Sequence, residues 1–345
     1  MIEFGSDFHY IAPGSSSDKT INNFYPSADY YADGRQALIH LYRAQGWKRL
    51  WIPDYFCYDV VESLEQEGLD LRFYVDYPEC RDDVETLAAL RRKSLFHPRD
   101  AILRVNYFGM RSYRSNDQLP IPVVEDHTHD LIGEWATHST ADWCIASLRK
   151  SLPIPEGGIL WSPRGLLLPD SPISMAENEK VAETRWEAME LKARYLAGED
   201  VDKSTFRAGF VDTEEFFDRA PLCSLDRRSI EFLRNFDIQD WYYRKRENWS
   251  ILRDIRKDGI RVLMPDNLGC YPFSLIMLFN TFEERDRVRK SLIANRIYPA
   301  ILWSVPPTLD GQTFEFSRCM LSIHCDARYT TTDIQQMKSI IESIL

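Results

Sequence analysis

Residues 123–160 read VVEDHTHDLIGEWATHSTADWCIASLRKSLPIPEGGIL. Two apolar runs, one ending in Asp126 and one passing through Ile145 to Ser147, bracket a polar loop, and the second leads straight into Arg149 and Lys150. Short apolar runs bounded by turn residues predict buried strands. An acid therefore stands just past one predicted strand and a lysine just past the next. In an open α/β sheet, groups beyond the carboxyl ends of the strands converge on the crevice where ligands bind. A carboxylate and an amine brought together there suit a cofactor that is a protonated pyridine at one end and an aldehyde at the other. Pyridoxal phosphate (PLP) has that shape: its ring nitrogen takes an acidic partner and its aldehyde a lysine.

Outward from this block, strand and helix alternate. Strands are predicted at 50–52, 71–75, 101–106, 121–125, 143–148 and 158–161, with helices from Asp33, over 56–67 and over 83–92. Such alternation is the signature of an α/β chain with a mainly parallel sheet between helices. The last strands follow one another without helices, which predicts an antiparallel part. After Pro172 come long charged helical segments at 177–197, 226–235 and 238–257. Strands at 273–279 and 320–324 then alternate with helices at 283–295 and 332–344. The final helix repeats Ile334, Met337, Ile341 and Ile344 at helical spacing, capped by Thr331 or Thr332, so its stripe is read as core. The division expected is an N-terminal arm, 1–32, a large domain, 33–237, and a small C-terminal α+β domain, 238–345.

The chain has 345 residues, 44% hydrophobic and 28% charged, as in ordinary globular proteins. A net charge of −11 argues against a nucleic-acid groove or an anionic membrane surface as partner. The opening MIEFGSDFHYIAPG lacks the basic and apolar regions of a signal peptide, and no apolar run approaches the length of a bilayer, so a cytoplasmic protein is expected. Seven scattered cysteines with no CxxC pair suit reduced thiols. Nine tryptophans call for extensive burial, in the core or at a subunit interface.

The Glu125-Asp126 pair with His129 three residues beyond the acid, followed by SLRKSLPIPEGG from Ser147, resembles the DegT/DnrJ sugar-aminotransferase family of fold type I PLP enzymes. The resemblance runs from about Asp33 to the C-terminus. It implies a large domain with a seven-stranded type of sheet, a homodimer, and a lysine that forms a Schiff base with the cofactor. Lys150 takes that role here and later carries the proton, since a protonated imine is a better electrophile than an aldehyde. Asp126, 24 residues earlier, keeps the ring nitrogen protonated so that the ring withdraws electrons. His129 stands where the family has Gln or His near the phenolic oxygen. The segment Asp126-His127-Thr128-His129-Asp130 also carries metal-ligand chemistry, but that reading needs further ligands and leaves Lys150 without a task.

The phosphate needs donors at a helix start, and the backbone amides of Gly34, Arg35 and Gln36 offer them. The resemblance completes this cup with the Ser147 hydroxyl. For the aromatic face over the ring, Cys57 stands at the family's position, and Phe56 and Tyr58 flank it. Asn106 replaces a histidine common in the family, and its motif for reaching a phosphate across the dimer interface is absent from this sequence. Trp303 to Pro306 and Leu321 to Tyr329 are expected to form the small-domain wall, with Arg328 as a candidate for a substrate anion or an internal ion pair. The reaction implied is transfer of an amino group from an amino acid, glutamate by preference, to a keto-sugar, nucleotide-linked by resemblance. Two alternatives remain: another PLP reaction, a lyase or dehydratase on a sugar or amino acid, and a non-catalytic binding protein on the same scaffold.

Overall fold

The computed structural model describes residues 2–14, 17–80, 96–116, 119–219, 221–309 and 311–345. The helix expected over 83–92 lies outside them. In chain order the strands are β1 (Phe4–Gly5), β2 (Asp29–Tyr31), β3 (Arg49–Pro53), β4 (Asp70–Tyr74), β5 (Asp100–Val105) and β6 (Val123–Asp126). They continue with β7 (Trp143–Ser147), β8 (Gly158–Trp161), β9 (Ile260–Val262), β10 (Ser274–Phe279), β11 (Ile297–Tyr298) and β12 (Met320–His324). Seven of them form one sheet in the order β2-β8-β7-β6-β5-β3-β4. β8 is antiparallel to both its neighbours, and the pairings from β7 to β4 are all parallel. This α/β sheet, mainly parallel with an antiparallel end, is the one the sequence predicts.

Period-two alternation divides the strands between two cores. Leu50, Ile52, Leu103, Val105, Val124 and Ile145 face the helices Gly34–Ala44 and Tyr58–Gln66. Trp51, Ile102, Val123, Cys144 and Ala146 face the other way, beneath Trp186, Met189, Phe206, Phe210 and Phe232. Eight of the nine tryptophans are buried, which settles their role as core; the ninth, Trp303, is half-buried. A separate antiparallel sheet, β12-β10-β9, packs with the helices Ile238–Leu252, Phe282–Ala294 and Thr331–Ile344. In the last of these Ile334, Met337 and Ile341 are fully buried as expected, whereas Ile344, in the final turn, is only half-buried, and the cap is Thr330, whose hydroxyl pairs with Asp333 in a capping box. The N-terminal residues Phe4–Gly5 pair in parallel with Ile297–Tyr298. No helix among the described residues is long and apolar enough to cross a membrane.

Strand order reverses at β3: the chain moves outward to β4, then returns to β5 on the other side and continues to β6 and β7. Ligands in such sheets bind at the carboxyl ends beside this reversal. At those ends β5 and β6 finish in Val105 and Asp126, and the segments leaving β3 and β7 carry Phe56 and Lys150.

Candidate active site

A cavity of about 210 Å³ opens at this edge. Its walls include Gly34, Arg35, Phe56, Cys57, Asp126, His129, Ser147 and Lys150. Eight of the ten expected site residues therefore meet in one place. Tyr58 and Gln36 do not. Tyr58 is the first residue of its helix, and its ring lies parallel to that of Phe73, outside the cavity. Gln36 is turned inward, accepting from the Cys223 N–H and donating to the Pro221 carbonyl.

Asp126 ends β6 on the face shared by Val124, so alternation delivers its carboxylate to the cavity. The Thr128 N–H donates to Asp126 Oδ1 at 2.8 Å, an Asx turn, while Thr128 Oγ1 accepts from the Ser147 N–H at 2.9 Å. Thr128 thus ties the acid to the start of the lysine turn. Its signal in the sequence is the D-x-T spacing of Asp126 and Thr128. Burial raises the Asp126 pKa above the ordinary carboxylate value, and the two Thr128 contacts only partly offset it. Among the described residues no cation forms an ion pair with this carboxylate.

Lys150 lies on a single helical turn, Leu148–Ser151, directly after β7. Its side chain is exposed to the cavity interior and makes no hydrogen bond or ion pair among the described residues. The neighbouring Arg149 charge, and then burial, lower its pKa to about 8. His129 is buried between Phe108, Phe273 and the indole of Trp303, whose ring centroid is 5.5 Å away. Burial, followed by the charges of Lys245 and Lys150, lowers its pKa to about 3, so the ring is neutral. Its Nδ1 accepts from the Phe108 N–H at 3.1 Å, which puts the remaining proton on Nε2.

The helix start differs from the expected cup. Asp33 caps it, accepting the Gln36 N–H at 2.9 Å and a further backbone contact from Arg35. Two of the three amides assigned to a phosphate thus point at the protein's own buried acid. What remains is the close approach. A Cβ on Gly34 would stand 3.1 Å from the Ser147 backbone nitrogen, and one on Gly158 only 2.2 Å from the Asp33 carbonyl oxygen. Gly158→Ala is expected to destabilise the fold by about 3 kcal/mol, because backbone cannot yield as a side chain does; chemical denaturation checks this.

The two histidines of the 126–130 segment do not share a site. His127 points to the opposite face of the sheet, where its Nε2 lies 3.1 Å from Glu125 and the Cys144 thiol stands close by. Glu125 is satisfied there by Asn116, Ser139 and His127, a buried internal network. Arg328 is likewise internal, paired with Asp326 at 2.8 Å and donating to the Asp7 carbonyl. Asn106 is buried behind the cavity rather than lining it. Of the small-domain wall, Trp303 reaches the cavity, joined by Leu302 and Phe273. Glu214, from a helix Lys203–Arg219 not predicted from the sequence, also lines it.

No family model matches the sequence, and neither does any curated protein. Solved structures do match in fold. Over its whole length, and the whole of the other chain, the protein is similar to the PLP form of Spr1654 from Streptococcus pneumoniae, at 11% identity and a TM-score of 0.64. A DegT DnrJ EryC1 StrS aminotransferase from Brucella abortus is 14% identical over 92% of this chain and 85% of its own, with a TM-score of 0.58. DesI, solved in the presence of its TDP-sugar product, is 15% identical over 94% of this chain and 82% of its own, also at 0.58. At such identities a likeness speaks for architecture alone: this chain has the fold of the fold type I PLP aminotransferases, with Lys150, Asp126 and His129 gathered around one cavity at the carboxyl edge of its sheet.

Proposed function

We propose that the protein is a PLP-dependent aminotransferase that moves an amino group from an amino acid, glutamate by preference, to a keto-sugar. The observation that carries this reading is complementary: the cavity holds an amine without an anionic partner and a carboxylate without a cationic one. A group with an aldehyde at one end and a basic ring nitrogen at the other satisfies both, so the residues present fit PLP. Bound there, PLP would supply an electron sink for the carbon whose proton is removed.

Each residue then has a task. Lys150 Nζ, with its lowered pKa, is available as a neutral amine near neutral pH, first as nucleophile and then as carrier of the proton at the substrate carbon. Asp126 holds a proton on the ring nitrogen by its negative charge. His129, neutral with hydrogen on Nε2, is suited to donate to the phenolic oxygen. Phe56, Phe273 and Trp303 keep water from the reacting atoms. Gly34, Arg35 and Ser147 flank the place for the phosphate. A nucleotide-linked acceptor is supported by the fold shared with DesI, and a homodimer by the resemblance of the Lys150 block.

The test is the visible spectrum of the purified protein with PLP. A yellow band that glutamate bleaches, and that a TDP-linked keto-sugar restores, supports the reading. Bleaching that no keto-sugar restores keeps the amino-donor half-reaction and overturns the keto-sugar acceptor, a band that glutamate leaves unchanged favours the lyase or dehydratase alternative, and absence of a band favours the binding protein. The rate at which the band grows should rise about tenfold per pH unit below 8 and level off above it, because only the neutral amine reacts. Stopped-flow absorbance between pH 6 and 10 checks this.

A further inference from the structure

Two of the amides at the start of the helix Gly34–Ala44, those of Arg35 and Gln36, are turned onto Asp33, and the guanidinium beside Lys150 is held by a carboxylate from a distant element. Arg149 donates both terminal N–H groups to Glu214, at 3.1 and 2.7 Å, in the bidentate geometry that arginine uses for carboxylates and phosphates. Among the described residues Glu214 is its only hydrogen-bonding partner, and its Nε is buried without one. The Phe217 ring lies 5.0 Å from the guanidinium carbon and supports that group from one side. Behind it Arg185 is fixed by the carbonyls of Pro155 and Phe210 and the Thr213 hydroxyl as well as by Glu214.

The three side chains are unequal in exposure. Arg149 and Arg185 are 11% and 4% exposed, whereas Glu214 is 49% exposed. Two sequestered guanidinium groups thus share one carboxylate that already half faces water. Burial alone would raise the Glu214 pKa, but the Arg149 and Arg185 charges hold it at about 2, so it is an anion at any working pH. Its outward face is already hydrated, so an incoming oxyanion that takes over the fork on the cavity wall, next to the lysine, can release it to water without leaving Arg149 unpaired.

We infer that Glu214 is a displaceable internal anion, and that the Arg149 fork it occupies is the subsite for an oxyanion of the cavity's ligand. A ligand phosphate or carboxylate takes the place of the Glu214 carboxylate. The inference rests on the proposed function only for the source of that anion: the cofactor's phosphate or the amino donor's carboxylate. It also supplies a side-chain cation where the helix start is already capped.

The test needs no cofactor. Wild type, Glu214→Gln and the double variant Glu214→Gln/Arg149→Gln are titrated calorimetrically with inorganic phosphate and, separately, with acetate, at constant ionic strength set with chloride. Glu214→Gln should bind at least one of them about tenfold more tightly than wild type, and the double variant should lose that gain. The anion with the larger gain names the source. Glu214→Asp, which keeps the charge but shortens its reach, should show a smaller gain and serves if the glutamine variant does not fold. Equal affinities in wild type and Glu214→Gln, or a gain that survives loss of Arg149, overturn the inference. Failure of the cofactor reading is separate: it would appear as a missing band with PLP while the anion titrations stand.

Discussion

Lys150→Ala should show no band with PLP beyond that of the free cofactor and should transfer amino groups at least ~10⁴-fold more slowly than wild type, since it loses the nucleophile and the general base together. The fold should not notice. The Lys150 side chain has no partner among the described residues, and its charge is disfavoured by Arg149. A lysine with a folded pKa lowered to about 8, against about 10.4 unfolded, binds protons less well when folded. Its charge therefore works against folding below about pH 8, and the alanine variant should melt no lower than wild type at pH 7. A small alkylamine added at high concentration should restore part of the turnover, because the vacated space lies open to the cavity. A wild-type band in Lys150→Ala would sink the assignment. Attention would then move to Lys245, a fully buried lysine whose Nζ lies 3.8 Å from the Tyr242 ring, behind Phe273.

The residues on the carboxyl edge were legible because strand periodicity and end position together determine where a side chain points. Asp126 and Lys150 each follow an apolar run, and the sheet delivers both to one cavity. What stayed hidden has physical reasons. The helix Lys203–Arg219 contains Gly209 and two threonines, poor helix formers whose cost is offset by packing Phe206, Phe210 and Phe217 inward. Glu214 could not be placed without that helix. The Asp33 cap was visible as a residue type but not as a competitor: an acid before a helix satisfies the very amides that a phosphate would use. Tyr58 and Gln36 failed because one position along a helix rotates a side chain by about 100°, and the turns that set their phase leave no trace in spacing. β9, three residues long, is too short for any periodicity to register.

Asp126→Asn should leave the band with PLP in place but slow amino transfer about 10³-fold, the scale of a lost electrostatic contact to a charge that develops in the reaction. Asparagine keeps the shape and can still accept the Thr128 N–H, so Lys150 remains tied into position through Thr128 and Ser147. What disappears is the negative charge that keeps a proton on the ring nitrogen. Stability should move the other way. Because burial raises the Asp126 pKa, the folded protein binds that proton more tightly than the unfolded chain does. Ionising Asp126 thus costs stability as pH rises past the unfolded value near 3.9, and the cost is complete above the raised folded value. At neutral pH the cofactor-free asparagine variant, which never ionises, should melt at or above the wild-type temperature. Added PLP should narrow the difference, because only the wild type gains a charge pair on binding it. Calorimetry with and without PLP separates the two readings of this carboxylate: a strand-end aspartate with a structural role would lose stability in both states and leave the rate of the proton-transfer step unchanged.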